Sequence, residues 1–415
     1  MLEASLVYLT SSLLNRFVPF LLLPLLTKYL SPSEYGVIAV IQVFLSLFLS
    51  FYGSLNSNIT RKYFHLTGQQ LSKYMFAIVI VLFSFLFMSV IISLVYLYSG
   101  FPLFGLGLGW YLVMPIIACM SMANLLNLTL LRVKEKPYKY AAWELSHAAL
   151  NLLLSIILIV CLEGGWEGRA IGIMVPLLIY GILGLYALSK YGMLSVCWDW
   201  SDIKEIYRVS IPLIPHALAA VVITFSDRLF IQYFLGADAV GVYSVGYQMG
   251  MVVLLFTDAF LKAWQPWFYK KLASNNDADK FLIVKFTRRY LILLIAGTGI
   301  YSLSAIKILP LIVGDQYSSA SSIIFPVALS YAAFDVYQIF FPYLIHTKKT
   351  DVLVVISPLS AFLNVILNAL WIPVFGMVGA AYATIGAYLF SAFLVFLFSN
   401  KFYPMPWFSK YKLDE

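Results

Sequence analysis

Residues 141–162 read AAWELSHAALNLLLSIILIVCL, and residues 352–372 read VLVVISPLSAFLNVILNALWI. Each run is apolar and long enough to cross a bilayer, whose ~30 Å hydrocarbon core takes about 20 residues of helix. The two runs carry one polar pattern. Glu144, His147, Asn151 and Ser155 stand at i, i+3, i+7 and i+11, and Ser357, Ser360, Asn364 and Asn368 repeat that spacing 213 residues later. A helix places such positions on one face. Two membrane helices with matching polar stripes predict a duplicated chain.

Further apolar runs extend the pattern in both directions. Twelve spans are read at 6–30, 37–57, 74–98, 111–131, 141–162, 170–189, 211–235, 240–261, 290–311, 323–345, 352–372 and 378–399. Hydrophobic residues make up 62% of the 415 and charged residues 11%, with a mean hydropathy of +0.89. That composition excludes an ordinary soluble domain. The first turn offers another internal match: residues 29–37, YLSPSEYGV, align with 234–242, FLGADAVGV, with Gly36 and Gly241 205 apart. A glycine turn also follows each polar stripe, at Gly168 and Gly379.

Charge sets the topology. Numbering the gaps from a cytoplasmic amino terminus, one side holds 22 of the 27 Lys and Arg, in clusters such as Arg132/Lys134/Lys136/Lys139 and Lys280/Lys285/Arg288/Arg289. The opposite gaps hold only Arg169. The positive-inside rule therefore predicts both termini in the cytoplasm. An even number of spans per half makes the halves parallel, related by an axis along the membrane normal. The expected organisation is a six-helix lobe at 1–190, a cytoplasmic linker at 191–209, a second six-helix lobe at 210–399 and a tail at 400–415. The net charge of +8 follows from this topology and does not argue for nucleic acid.

Several classes are excluded. The start, Met1 to Leu6, lacks a basic region, so no cleavable signal peptide is expected. Cys119, Cys161 and Cys197 form neither a disulfide framework nor a metal motif. The sequence has no GxxxxGK[ST], no HExxH and no nucleophile elbow. Gly105, Gly107 and Gly109 lie in an outer loop and read as a flexible turn. No cofactor and no metal are expected.

Function must then lie in polar residues within spans. A charge at mid-bilayer costs roughly 2.5–3.5 kcal/mol on insertion scales, so each needs a reason. Arg16 lies about ten residues into the first span, roughly 15 Å along its axis. Ser12, Arg16, Pro19 and Thr27 fall near one face, and Pro19 and Pro24 should loosen the helix there. Such a cation is fit to bind an anion in a cavity, or to pair with a carboxylate that assembles the bundle. Asp227 and Arg228, in the seventh span, are neighbours pointing about 100° apart and are expected not to pair with each other. Thr224, Arg228 and Gln232 share a face. Glu144 and His147 are candidates to exchange a proton or hold a cation, against a structural hydrogen bond at the membrane boundary. Asp258 and Asp335 are further ion-coupling candidates, with Asp258 able to pair with Lys262 instead. Substrate-binding candidates are Arg16, Arg228, Asn151, Asn364 and Gln42, the asparagines serving equally to join helices. Lys28 and Lys307 sit where a long side chain can snorkel.

Residues 22–36, LLPLLTKYLSPSEYG, resemble the opening of bacterial lipid-linked oligosaccharide flippases. These are the O-antigen and exopolysaccharide repeat-unit translocases of the multidrug/oligosaccharidyl-lipid/polysaccharide exporter superfamily. Ser226-Asp227-Arg228 with 235–244, LGADAVGVYS, is similar to the start of that family's second lobe. Residues 263–270, AWQPWFYK, with 314–317, GDQY, and 375–381, FGMVGAA, fit further along, so the resemblance spans the chain. It implies an all-α, MATE-like fold of two six-helix lobes around a cavity, and a transporter rather than an enzyme. The implied cargo is an undecaprenyl-diphosphate-linked oligosaccharide, flipped by alternating access from the cytoplasmic to the periplasmic leaflet of the bacterial inner membrane. Proton or sodium coupling is implied, as are an O-antigen polymerase and a chain-length regulator as partners in lipopolysaccharide biosynthesis. Arg16 and Arg228 are where this sequence offers cations for the diphosphate, which a guanidinium fork suits. The rivals are a multidrug/cation antiporter of the same superfamily, which wants an acidic cavity, and a membrane-embedded polysaccharide polymerase. A polymerase is disfavoured because the longest outer loop, 99–110, is short. A lipid II flippase typically carries additional spans.

Overall fold

The computed structural model describes residues 2–52, 55–100, 106–274 and 276–407. The readings made of Met1, of Gly105 and of the tail beyond residue 407, with Lys410 and Lys412, lie outside the described residues. Among the described residues there is no strand. Fifteen α-helices follow one another among those residues: α1 (Leu2–Tyr29), α2 (Pro32–Tyr52), α3 (Leu55–Lys62), α4 (Gly68–Tyr98), α5 (Leu108–Val133), α6 (Pro137–Ile156), α7 (Gly165–Lys190), α8 (Trp200–Ser210), α9 (Ile214–Leu235), α10 (Ala237–Gly250), α11 (Val252–Ala273), α12 (Asp277–Ile312), α13 (Ser321–His346), α14 (Leu353–Phe375) and α15 (Met377–Phe402). Among the described residues twelve spans are long and apolar enough to cross a membrane, α10 and α11 running together as the eighth. The chain is a multi-pass membrane protein.

Several helices outrun the apolar stretches that announce them. α12 has 36 residues and begins well before position 290, because the Asn276 side chain caps it by accepting from the Ala278 N–H at 3.0 Å. A helix needs its backbone satisfied inside the membrane but need not stop at the boundary. The stretch expected as a linker contains α8. Asp199 caps this helix by accepting from the Ser201 N–H at 2.8 Å, and those hydrogen bonds hold its carboxyl below the usual range. α8 docks on α3, where Arg61 and Lys62 reach Glu205 at 2.7 and 2.9 Å and Asn58 donates to Ser210 at 3.2 Å.

The chain forms two compact units, Met1–Val221 and Val222–Glu415, dividing inside α9. Their internal packing follows one plan. In the first, α5 packs on α2, α4 and α7; in the second, α13 packs on α10, α12 and α15. These two hub helices are both 26 residues long, and their first residues, Leu108 and Ser321, are 213 apart, the offset of the polar stripes. The turns that end them match bond for bond. Lys134, Glu135 and Lys136 donate to Leu130, Arg132 and Leu131; Thr347, Lys348 and Lys349 donate to Tyr343, Ile345 and Leu344. Glu135 (φ 51°) and Lys348 (φ 56°) take the left-handed conformation that closes each helix. At the other offset, 205, Tyr35 donates to Ser31 and Val240 to Gly236.

Glycine lets the hub helices approach their neighbours. A Cβ on Gly181 of α7 would lie 2.5 Å from the Met120 carbonyl oxygen of α5. One on Gly246 of α10 would lie 2.6 Å from the Ala320 carbonyl. Small residues at such crossings bring backbones into van der Waals contact, the main attraction between helices when lipid is as apolar as the side chains. Substituting Gly181→Leu should therefore cost about 1–3 kcal/mol by overpacking. Thermal unfolding in detergent checks this, with Gly299→Ala, whose Cβ meets nothing within 4 Å, expected not to lower the midpoint, since alanine is the better helix former.

Candidate functional site

In the second unit the polar residues of α9 are gathered into a closed cluster. Asp227 is fully buried and Arg228 is 6% exposed. Contrary to the expectation from their spacing, the two pair with each other: Arg228 Nη1 and the Arg228 backbone N–H both donate to Asp227 Oδ1 at 2.8 Å. Helical geometry fixes only where each Cβ points. The long guanidinium arm curls back to Asp227, the carboxylate it pairs with among the described residues, in a medium where a lone ion is prohibitive. Its Nη1 also donates to the Thr224 carbonyl at 2.8 Å, and its Cζ lies 4.1 Å from the centre of the Tyr247 ring. Tyr243 donates to Asp227 Oδ2 at 2.5 Å, and Tyr247 and Tyr331 share a 2.7 Å hydrogen bond. Charge is thus neutralised inside the cluster, and α9, α10 and α13 are tied through it.

One residue earlier, Ser226 donates to Asn364 Oδ1 at 3.1 Å, and Asn368 donates to the same oxygen at 3.0 Å. Thus Asn364 and Asn368 of the α14 stripe meet α9, while Ser360 of the same stripe accepts from Ser391 of α15 at 2.6 Å. Asn364 Nδ2 and Asn368 Oδ1 are buried without a partner. Asp335 lies on α13, 1% exposed; Tyr290 donates to its Oδ2 at 2.6 Å, while Oδ1 has no partner. Asp258 forms the ion pair with Lys262 that their spacing allows, at 3.1 Å on the surface.

The first unit uses its polar stripe in the same way. Glu144 turns to α1, accepting from Ser12 at 3.3 Å and from Asn15 at 3.4 Å. His147 turns to α7, where its ring meets Tyr180 edge-on at 5.1 Å, with Nε2 buried and unpartnered. Glu144 and His147 do not pair with each other; each has found a different neighbouring helix, Glu144 through structural hydrogen bonds. Asn151 and Ser155 both accept from Arg169 Nη1, the former at 2.9 Å. Arg169 is not a loop residue. α7 starts at Gly165, which places Arg169 in its second turn, 6% exposed. It counted as a loop cation because residues 163–169 are polar; its fit to the Asn151/Ser155 stripe was the signal that could have found it. The tyrosines around Arg228 were likewise missed, although Tyr243 and Tyr247 stand at i, i+4.

Two candidates are exposed. Arg16 is exposed on α1, one residue after the Asn15 that holds Glu144. α1 continues helical through Pro19 and Pro24, and Thr27 is buried, donating to the Leu23 carbonyl at 2.9 Å. Gln42 is the one exposed residue of α2, among buried neighbours. Among the described residues no cluster of His, Cys, Asp and Glu could hold a metal ion.

Residues 1–271 match the family described as polysaccharide biosynthesis protein. The chain belongs to that family. A Haemophilus influenzae protein described as Lsg locus putative protein 1 is 25% identical over 280 residues, 66% of this chain and 67% of its own length. Among solved structures, an inward-facing multidrug resistance MATE family transporter of the MOP superfamily superposes with a TM-score of 0.70. Identity is 14%, over 93% of this chain and 94% of that one. The lipid II flippase MurJ, in an inward closed conformation, gives a TM-score of 0.69 at 16% identity, over 97% of this chain and 88% of that one. The fold is therefore the all-α, twelve-helix, MATE-like one expected from the sequence.

Within this polysaccharide biosynthesis protein, a buried charge is stable only while its partner is present. Removing Asp227 (Asp227→Ala) should cost about 3–5 kcal/mol by stranding Arg228, and Asp227→Leu/Arg228→Met should recover most of it. Thermal unfolding of the three proteins in one detergent measures both steps.

Proposed function

We propose that this protein moves an undecaprenyl-diphosphate-linked oligosaccharide from the cytoplasmic to the periplasmic leaflet of a bacterial inner membrane by alternating access. It would act as a transporter and not as an enzyme. The observation that carries the reading is Arg16: an exposed guanidinium on a membrane-spanning helix, in a family of polysaccharide biosynthesis. Hydrocarbon is a barrier to a diphosphate, and a guanidinium fork matches phosphate oxygens two at a time. Gln42 offers an exposed amide suited to sugar hydroxyls. The orientation proposed puts both termini in the cytoplasm, as the basic clusters require.

Arg228 has a different role in this reading. Its charge is already neutralised by Asp227, so it serves as a tie between helices unless cargo displaces the carboxylate. Asn151 and Asn364 likewise join helices. Coupling to proton or sodium is assigned first to Asp335, whose Oδ1 is buried and unpartnered, with Glu144, His147, Asp227 and Asp258 as the further candidates. An O-antigen polymerase and a chain-length regulator are proposed as downstream partners. The second reading, a multidrug/cation antiporter, is favoured by the fold match to a multidrug transporter. Cargo charge separates the two, since an exposed arginine repels a cationic drug.

A strain lacking its own repeat-unit flippase, but making the matching lipid-linked glycan, should regain surface polysaccharide when it expresses this chain. Arg16→Ala should lose that gain while inserting normally. Arg16→Lys should slow transport roughly 10- to 100-fold, the value of about 1.5–3 kcal/mol for a charge-assisted hydrogen bond. No restoration by well-inserted wild type, together with efflux of a cationic dye, would give the antiporter reading instead. Full transport by Asp335→Asn at every pH and sodium concentration would remove Asp335 from the coupling.

A further inference from the structure

α11 and α12 enclose an apolar groove that the mechanism above does not use. It is about 520 Å³ and is walled by Val253, Phe256 and Phe260 from α11 and by Leu293, Gly297 and Tyr301 from α12. It runs about 16 Å from the level of Tyr290 to that of Tyr301, at 1.5 Å per residue. Phe256, Leu293 and Ile300 are each more than two-thirds exposed, so the groove is open along a membrane-spanning helix pair.

Its walls are held from behind. Tyr290 stacks on Phe260 with ring centres 3.9 Å apart, and its hydroxyl donates to the buried Asp335. Tyr301 donates to the Met249 carbonyl at 2.6 Å. With both hydroxyls so engaged, and the Thr257 hydroxyl donating to the Leu254 carbonyl at 3.2 Å, the groove presents mainly carbon, Thr298 being the remaining polar side chain of its wall. Gly297 widens it: a Cβ built there meets nothing within 4 Å.

The same helical stripe becomes cationic at one end. Lys285, Arg289, Leu293 and Gly297 follow at four-residue intervals, which places them along one face of α12. Lys285 and Arg289 are exposed, and neither has an acidic partner within 4 Å among the described residues. The acidic residues of α12, Asp277 and Asp279, lie at its start and face Lys280 and Lys271. A carbon-lined slot in line with two unpaired cations complements one ligand class, an amphiphile with a long chain and a phosphate head.

We propose that this groove is a binding site for an anionic glycerophospholipid. One acyl chain would lie between α11 and α12, and the phosphate would sit against Arg289 and Lys285. The site stands whether or not the flippase reading holds, because it uses neither Arg16 nor the α9 cluster.

The test is lipid binding by the full chain, purified in a non-ionic detergent. Native mass spectrometry and thermal unfolding would be run with phosphatidylglycerol and with phosphatidylcholine of the same chains. Phosphatidylglycerol should be retained at one per protein and raise the unfolding midpoint, with phosphatidylcholine binding at least tenfold more weakly. Gly297→Leu fills the slot, and Lys285→Gln/Arg289→Gln removes the charges from exposed positions that no packing depends on. Each variant should weaken phosphatidylglycerol binding at least tenfold. Equal binding of the two lipids would overturn the proposal, as would unchanged retention by both variants. Displacement of phosphatidylglycerol by undecaprenyl phosphate at lower concentration would overturn it too, by giving the groove to a polyprenyl chain.

Discussion

Hydrocarbon solvates no ion and accepts no hydrogen bond, and the arrangement of this chain follows from that one constraint. Every polar side chain within a span needs a partner supplied by the protein. The partners lie on neighbouring helices of the same unit: Ser12 and Asn15 for Glu144, Asn151 and Ser155 for Arg169, Tyr243 for Asp227, Tyr290 for Asp335. Each such contact specifies which helices touch and in what register, a job that apolar contacts do poorly in a solvent as apolar as themselves. Glycine-lined crossings then supply the close packing.

The same constraint separates structure from function among the charges. Arg228, Asp227 and Arg169 are buried and satisfied, in full or in large part, by groups the chain provides. They resemble one another in energetic role although the sequence presents them as one adjacent pair and one apparent loop residue. Arg16 and Gln42 are exposed at membrane depth, where exposure is tolerable only beside a polar environment or a partner. On the flippase reading proposed above, they are the residues at which cargo recognition is best sought.

Duplication was legible because it leaves periodic traces. The stripe of Glu144, His147, Asn151 and Ser155 recurs at 357–368, and the structure returns the same 213-residue offset in the hub helices and their closing turns. What could not be read was the identity of each partner. Glu144 and His147, three apart, reach opposite neighbours. Asp227 and Arg228, adjacent, reach each other. Side-chain length and the absence of a better partner decide such choices, and neither is visible in spacing. Arg169 was misplaced for a related reason: polarity marks a loop in sequence, yet a polar first turn also belongs to a helix once its side chains find buried acceptors.

Composition and hydropathy by themselves determined that this is a twelve-span, all-α membrane protein, because a bilayer admits so few solutions for a chain of this polarity, and the repeated polar stripes added the duplication. The family could be named from short motifs, some inside helices, as at 226–228 and 263–270, and some at turns, as at 30–32 and 235–237. Only the tertiary structure decided which charges are buried and which are exposed. That outcome depends on distances of a few ångströms between helices far apart in sequence, and on burial, which makes an ion pair compulsory in one place and leaves a cation accessible in another.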